Sequence, residues 1–161
     1  MVKKIGLVVL LFLSAQTLLF AAQPLKSKSG DLAANFNLSD LGNKRVSLSD
    51  FKDKPVILFF WTTWCHFCRG ELKMLNNIYA ELAKDGLELL VINIEEPFYK
   101  VDNFTKKYNL AFRVLLDEDG TVAYSYGVIG VPTYIFIDKK GYIVYRSHSF
   151  SEEIYKGLIL D

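Results

Sequence analysis

Residues 55–61 read PVILFFW, an apolar run of strand length with no polar position inside it, and LELLVINI at 87–94 is another such run. Runs of this kind predict strands buried on both faces, since a strand with one wet face alternates apolar and polar residues. Between them the period changes. Phe67, Leu72, Leu75, Ile78, Tyr79 and Leu82 recur largely at threes and fours, which predicts a helix from Cys65 to about Lys84. Pro97, at a first-turn position, opens a polar helix to about Lys107; FRVLLD from Phe112 predicts a third strand, and an Asp119-Gly120 turn precedes a short helix at 122–126. TYIFID and YIVYRS flank a turn at 139–141 and predict a terminal hairpin, after which Ser151 caps a last helix to about Leu160. Ahead of the first buried run, NFNLSDLGNKRVSLSDF alternates around Gly42-Asn43 and predicts a leading hairpin, with strands at 35–38 and 45–48, followed by a helical turn at 49–51. Strands alternating with helices predict an α/β domain, its sheet covered on both faces, over residues 31–161.

The hydropathy pattern also sets off the first 30 residues. MVKKIGLVVLLFLSAQTLLFAA has two lysines and then an unbroken apolar run from Ile5 to Leu13, the form of an export segment, so residues 1–22 are left out of the fold. Phe20 and Leu19 are too bulky for the third position upstream of a cut after Ala22 or Ala21, while Ile5 to Ala22 is about the minimum that spans a bilayer as a helix. A cleaved signal peptide and an uncleaved membrane anchor therefore both stay open. Either way Lys3 and Lys4 stay cytoplasmic and the domain is expected outside, in the periplasm or on the extracytoplasmic face of the membrane. Residues 23–30 form a polar linker.

Composition narrows the function. A formal charge of +1 from 19 basic and 18 acidic residues, with the lysines scattered, argues against a nucleic-acid surface. The only two cysteines, Cys65 and Cys68, are three positions apart. In an exported protein disulfides persist, but a staple closing about four residues contributes only about 2 kcal/mol, against about 4.7 for a loop of about a hundred. The pair is placed for chemistry. It sits where a buried strand turns into a helix, and a helix N-terminus carries unpaired N–H groups and partial positive charge that stabilise a thiolate. Cys65 is the expected nucleophile. Cys68, one turn later on the same face, is the expected resolving thiol, attacking the mixed disulfide that Cys65 forms with a client. Zinc would need two further ligands, and the only histidines are His66, inside the motif, and distant His148, so no metal is expected.

Several neighbours have two readings on spacing alone. His66 either tunes the thiolate when protonated or is simply an exposed histidine. Glu71, three beyond Cys68, either passes protons to the resolving thiol or is a solvated acid favoured by the helix dipole. Trp61 and Trp64 bracket the approach; Trp61, inside the strand run, reads as core, and Trp64 as shield or client platform. Tyr124, Tyr126, Tyr134, Tyr142 and Tyr145 read as packing.

Two segments carry a family resemblance. PVILFFWTTWCHFCRGEL resembles the active-site segment of the TlpA/ResA-like membrane-anchored thioredoxins, and YGVIGVPTYIFIDKKG resembles their cis-proline segment. The resemblance covers residues 31–147 and implies a thioredoxin fold: a central mixed sheet flanked by helices, with an N-terminal β-hairpin and a βα insertion between the C-x-x-C helix and the cis-proline, placed here within 87–107. It implies that Pro132 is cis and faces the cysteines, and that the backbone of Val131 holds an incoming client strand. It also assigns Glu71 to proton handling. Two positions depart from relatives. Phe59 stands where cytoplasmic thioredoxins have a buried aspartate, and Phe67 stands where many relatives have proline, so the redox tuning of His66 and Phe67 is this chain's own.

The resulting expectation is a thiol-disulfide oxidoreductase of the exported compartment with no cofactor beyond the Cys65–Cys68 pair. Acting as a reductase, it resembles proteins that keep the haem-binding cysteines of apocytochrome c reduced. Its partners would be client proteins with disulfides or dithiols and a membrane-embedded thiol electron donor, and the domain is expected to be a monomer. The alternatives are a protein dithiol oxidant, a non-enzymatic metal or haem chaperone, and a thiol peroxidase. Thr62 stands three before Cys65 as in peroxiredoxins, but their proline is missing at Leu58.

Overall fold

A computed structural model describes residues 29–160. Residues 1–22, read as an export segment, and most of the expected linker at 23–30 lie outside the described residues. Seven strands form one sheet: β1 (Asn37–Asp40), β2 (Arg45–Ser47), β3 (Val56–Trp61), β4 (Glu88–Ile94), β5 (Val114–Asp117), β6 (Thr133–Ile137) and β7 (Ile143–Ser147), in the order β2-β1-β5-β4-β3-β6-β7. Four helices accompany them: α1 (His66–Lys84), α2 (Phe98–Tyr108), α3 (Thr121–Ser125) and α4 (Glu152–Leu160). β3 is central, parallel to β4 on one side and antiparallel to β6 on the other. The β4-β3-β6-β7 block, with α1 leaving the end of β3, is the thioredoxin fold.

The unbroken apolar runs are buried on both faces, as the pattern predicts. Along β3, Ile57, Phe59 and Trp61 face a core shared with α1, α2 and α4, while Val56, Leu58 and Phe60 face a second core shared with the leading hairpin and α3. All six are at most 2% exposed. At about 25 cal/mol per Å² of apolar area, this two-sided burial makes β3 the most firmly held strand, and the redox motif is attached directly to its end.

Three expectations are adjusted. The hairpin strand expected at 35–38 lies two residues later, because β1 extends to Asp40, whose carboxylate accepts from the N–H groups of Gly42 and Lys44 and shapes the turn. The inserted unit is α2 with β5 rather than a pair within 87–107: β4 is the core partner of β3, and the extra strand β5 lies beyond it, parallel to β4 and antiparallel to β1. Pro97 is the N-cap of α2, one position before the helix. Ser151 caps α4 as expected, its Oγ accepting from Ile154 N at 3.4 Å.

Candidate active site

Cys65 occupies the N-cap of α1 with extended backbone (φ −69°, ψ 111°), and its Sγ accepts from the Cys68 N–H at 3.1 Å. One free N–H of the helix start is thus directed at the sulfur, the arrangement that favours a thiolate once the pair is reduced. The two sulfurs are joined in a disulfide with a Cα–Cα separation of 5.3 Å. Cys68 is wholly buried; Cys65 keeps 5% exposure and is the sulfur a client can reach. Across from it, the Val131–Pro132 peptide is cis, and the Val131 carbonyl oxygen lies 3.7 Å from Cys65 Sγ. Pro132 is buried and Val131 half-buried. β3, α1 and the loop before β6 thus bring together Cys65, Cys68, Val131 and Pro132, which are 63 residues or more apart in sequence across the two segments.

The exposed surroundings are apolar. Trp64, just before the pair, is 66% exposed and Phe67, within it, 76%, and His66 is exposed beside Phe67. The periodicity places Phe67 in the helix's buried stripe; instead it projects to solvent, because the buried stripe of α1 runs through Cys68, Leu72, Leu75 and Leu82 and Phe67 lies one position, about 100° of helix, off it. A cleft of about 410 Å³ beside Cys65 is lined by Trp64, Glu95, Tyr124, Ile129 and Val131 among others. Trp61 is fully buried core, as its position in the run predicts.

Glu71 is half-buried one turn beyond Cys68. Its Oε2 accepts from the Tyr134 phenol at 2.7 Å and from the Phe150 N–H at 3.3 Å. Tyr134, read from sequence as packing, is therefore also a polar partner of the motif helix. Burial first, and then the Glu71 carboxylate, push its phenol far above the ordinary tyrosine range, so it keeps its proton and donates it in the hydrogen bond to Glu71. Tyr126 is buried and donates to Ala34 O at 2.6 Å, while Tyr124, Tyr142 and Tyr145 are largely exposed.

Three further residues near the site, Glu96, Arg69 and His148, carry no local sequence signal. Glu96, 4% exposed, accepts from Thr63 N (2.5 Å), Thr63 Oγ1 (2.6 Å) and Asn93 Nδ2 (2.9 Å) and pairs with Lys100 Nζ at 2.9 Å. The Arg69 guanidinium donates to Thr63 O at 3.2 Å, so the turn leading into Cys65 is held from both sides. His148 Nδ1 donates to the Pro132 carbonyl at 2.7 Å and holds the proline loop from behind.

For Glu96, burial opposes ionisation, but the Thr63, Asn93 and Lys100 hydrogen bonds outweigh it and keep the carboxyl below its usual range. A depressed folded value means that stability is gained above the unfolded value of about 4.3 and lost as pH falls through the folded one. Glu96→Ala is expected to lower stability by about 2–3 kcal/mol at pH 7, the cost of leaving the buried Thr63 and Asn93 donors without an acceptor. The deficit should narrow below about pH 4, and denaturant unfolding at both pH values checks it.

Residues 29–146 match the AhpC/TSA family. The chain is 40% identical over 119 residues to the thiol-disulfide oxidoreductase ResA of Bacillus thuringiensis subsp. konkukian, covering 74% of this chain and 69% of the relative. It is 39% identical over 125 residues to ResA of Bacillus subtilis, covering 78% and 69%. Among solved structures it resembles a putative thiol:disulfide interchange protein DsbE from Chlorobium tepidum, with a TM-score of 0.74, 28% identity and coverage of 84% of this chain and 97% of that one.

Proposed function

The chain belongs to the AhpC/TSA family and is a thioredoxin-like thiol-disulfide oxidoreductase; from that premise we propose that it works outside the cytoplasmic membrane as a reductase of protein disulfides. The observation that carries the proposal is Cys65 at the N-cap of α1, its sulfur receiving the Cys68 N–H and lying 3.7 Å from the Val131 carbonyl of the cis-proline loop.

In the reduced protein, the Cys65 thiolate attacks one sulfur of a client disulfide, forming a mixed disulfide and expelling the client's other sulfur as a thiolate. Cys68 then loses its proton and attacks Cys65 Sγ. The Cys65–Cys68 bond forms as the bond to the client breaks, and the client leaves with two thiols and two electrons. Val131 holds the client backbone next to Cys65, Trp64 and Phe67 provide apolar contact, and His66 adds positive charge beside the thiolate when protonated. Glu71, on the helical face of Cys68 about 5–6 Å away between Cβ atoms, takes the resolving thiol's proton.

The apolar segment at 1–22 and the resemblance to membrane-anchored relatives support the location and a membrane-embedded thiol donor that restores the dithiol. The same resemblance supports a client such as an apocytochrome c whose haem-binding cysteines have oxidised. Equilibration of the purified domain with glutathione buffers tests the direction. A potential more negative than about −200 mV is expected, and a value near the −120 mV of strong protein oxidants would reverse the assignment.

A further inference from the structure

We propose that Tyr134 is a positioning residue for the second chemical step: its phenol holds Glu71 so that one defined carboxylate oxygen faces the proton traffic of Cys68. The inference rests on the reading of Glu71 as the proton acceptor and names what makes that acceptor work in this chain.

Phe59 occupies the β3 position where cytoplasmic thioredoxins carry a buried acid. Tyr134 is its direct partner across the antiparallel β3–β6 pair, and the two rings pack with centroids 4.5 Å apart. The strand position that could hold an acid is thus apolar, and the polar group has moved one strand over, onto a ring that runs along Phe59 and ends on Glu71. Tyr134 itself has no exposure, so its hydroxyl must be paired within the protein, and Glu71 is that partner.

The geometry on the carboxylate is specific. Both donors, the Tyr134 phenol and the Phe150 N–H, fall on Oε2. Oε1 accepts no hydrogen bond among the described residues, which leaves it as the oxygen that gains and releases a proton. Glu71 also lines a cleft of about 400 Å³ between α1 and the segment entering α4, a route to water for that proton. Other ionisable groups in the cleft are occupied or remote from the motif. Glu152 pairs with Lys156 at 2.6 Å, Tyr155 donates to Asp85, and Glu81 lies almost three turns along α1 from Glu71. His148, on the far side of β6's first residues, is engaged by the Pro132 carbonyl.

Without the phenol, the carboxyl keeps only the longer Phe150 contact and rotates, and the transfer from Cys68 slows. The first step, at Cys65, is untouched. Ellman's reagent separates the two in one stopped-flow trace of the reduced protein. A first equivalent of thionitrobenzoate leaves when Cys65 attacks, and a second when Cys68 displaces it from Cys65.

Glu71→Gln is expected to slow the second phase about a hundredfold. Tyr134→Phe, which keeps the ring against Phe59, is expected to slow only the second phase, about tenfold. The double variant should be no slower than Glu71→Gln alone. A normal second phase in Tyr134→Phe, with Glu71→Gln slow, would overturn the role of Tyr134 and leave that of Glu71 standing. A normal second phase in Glu71→Gln would overturn both, as would any slowing by Tyr134→Phe that persists in the Glu71→Gln background overturn the coupling between them.

Discussion

Cys68→Ser is expected to turn the protein into a covalent trap, while Cys65→Ser loses exchange activity by at least about a thousandfold, the scale on which a covalent nucleophile is missed. The asymmetry follows from burial. Cys68 has no exposed surface and Cys65 has a little. A client disulfide can therefore meet only Cys65. With serine at 68 the first attack proceeds, the mixed disulfide forms, and no internal thiol follows to release it. The hydroxyl is too weak an acid to replace a thiolate at neutral pH. Mass spectrometry of non-reduced extracts should find clients joined to Cys65, and none joined to Cys68 in the Cys65→Ser variant. Equal trapping by both variants would mean that the two sulfurs are equally open, contrary to their burial. No adduct from cells that contain oxidised exported proteins would remove protein disulfides as the substrate.

What the sequence made legible follows the strength of each local pattern. The two-sided runs of β3 and β4 are found because every position is apolar, and the motif helix because its stripe is long. The cysteine pair is legible because two thiols three apart at a strand-to-helix junction have few other uses. Phe67 misled, since an apolar residue beside the stripe was counted in it, while the position that is buried in the first turn is Cys68. The inserted unit was placed too early because parallel order cannot be read from spacing; both β4 and β5 look like buried strands, and only pairing tells which is beside β3. Glu96, His148 and the hydroxyl of Tyr134 act through partners 16 to 63 residues away, and no local signal predicts such bonds. Sequence reading sees the reacting atoms here better than the groups that hold them.

Phe59→Asp puts the cytoplasmic thioredoxin residue back on β3 and is expected to destabilise the domain by about 5 kcal/mol rather than restore a missing function. The side chain has no exposure and packs on the Tyr134 ring in the core shared with α1. Removing a buried phenylalanine costs about 3–5 kcal/mol by itself, and an unpaired carboxyl in its place adds the cost of an unsatisfied polar group. The total is a large part of the roughly 5–15 kcal/mol that holds a domain of this size. The one nearby hydroxyl, that of Tyr134, is already committed to Glu71. A buried aspartate has its folded pKa raised, so the variant's deficit should be smallest below the unfolded value of about 3.9 and grow as pH rises above it. Denaturant unfolding at pH 4 and pH 7 reads both the size and the sign. A loss under about 2 kcal/mol, or a deficit independent of pH, would mean that the core around Phe59 can admit water or a counter-donor. In that case the shift of the polar group from β3 to Tyr134 would be a matter of choice rather than of packing. A large, pH-growing loss makes the pairing of Phe59 with Tyr134 the reason the acid sits on α1, at Glu71, and not on the strand.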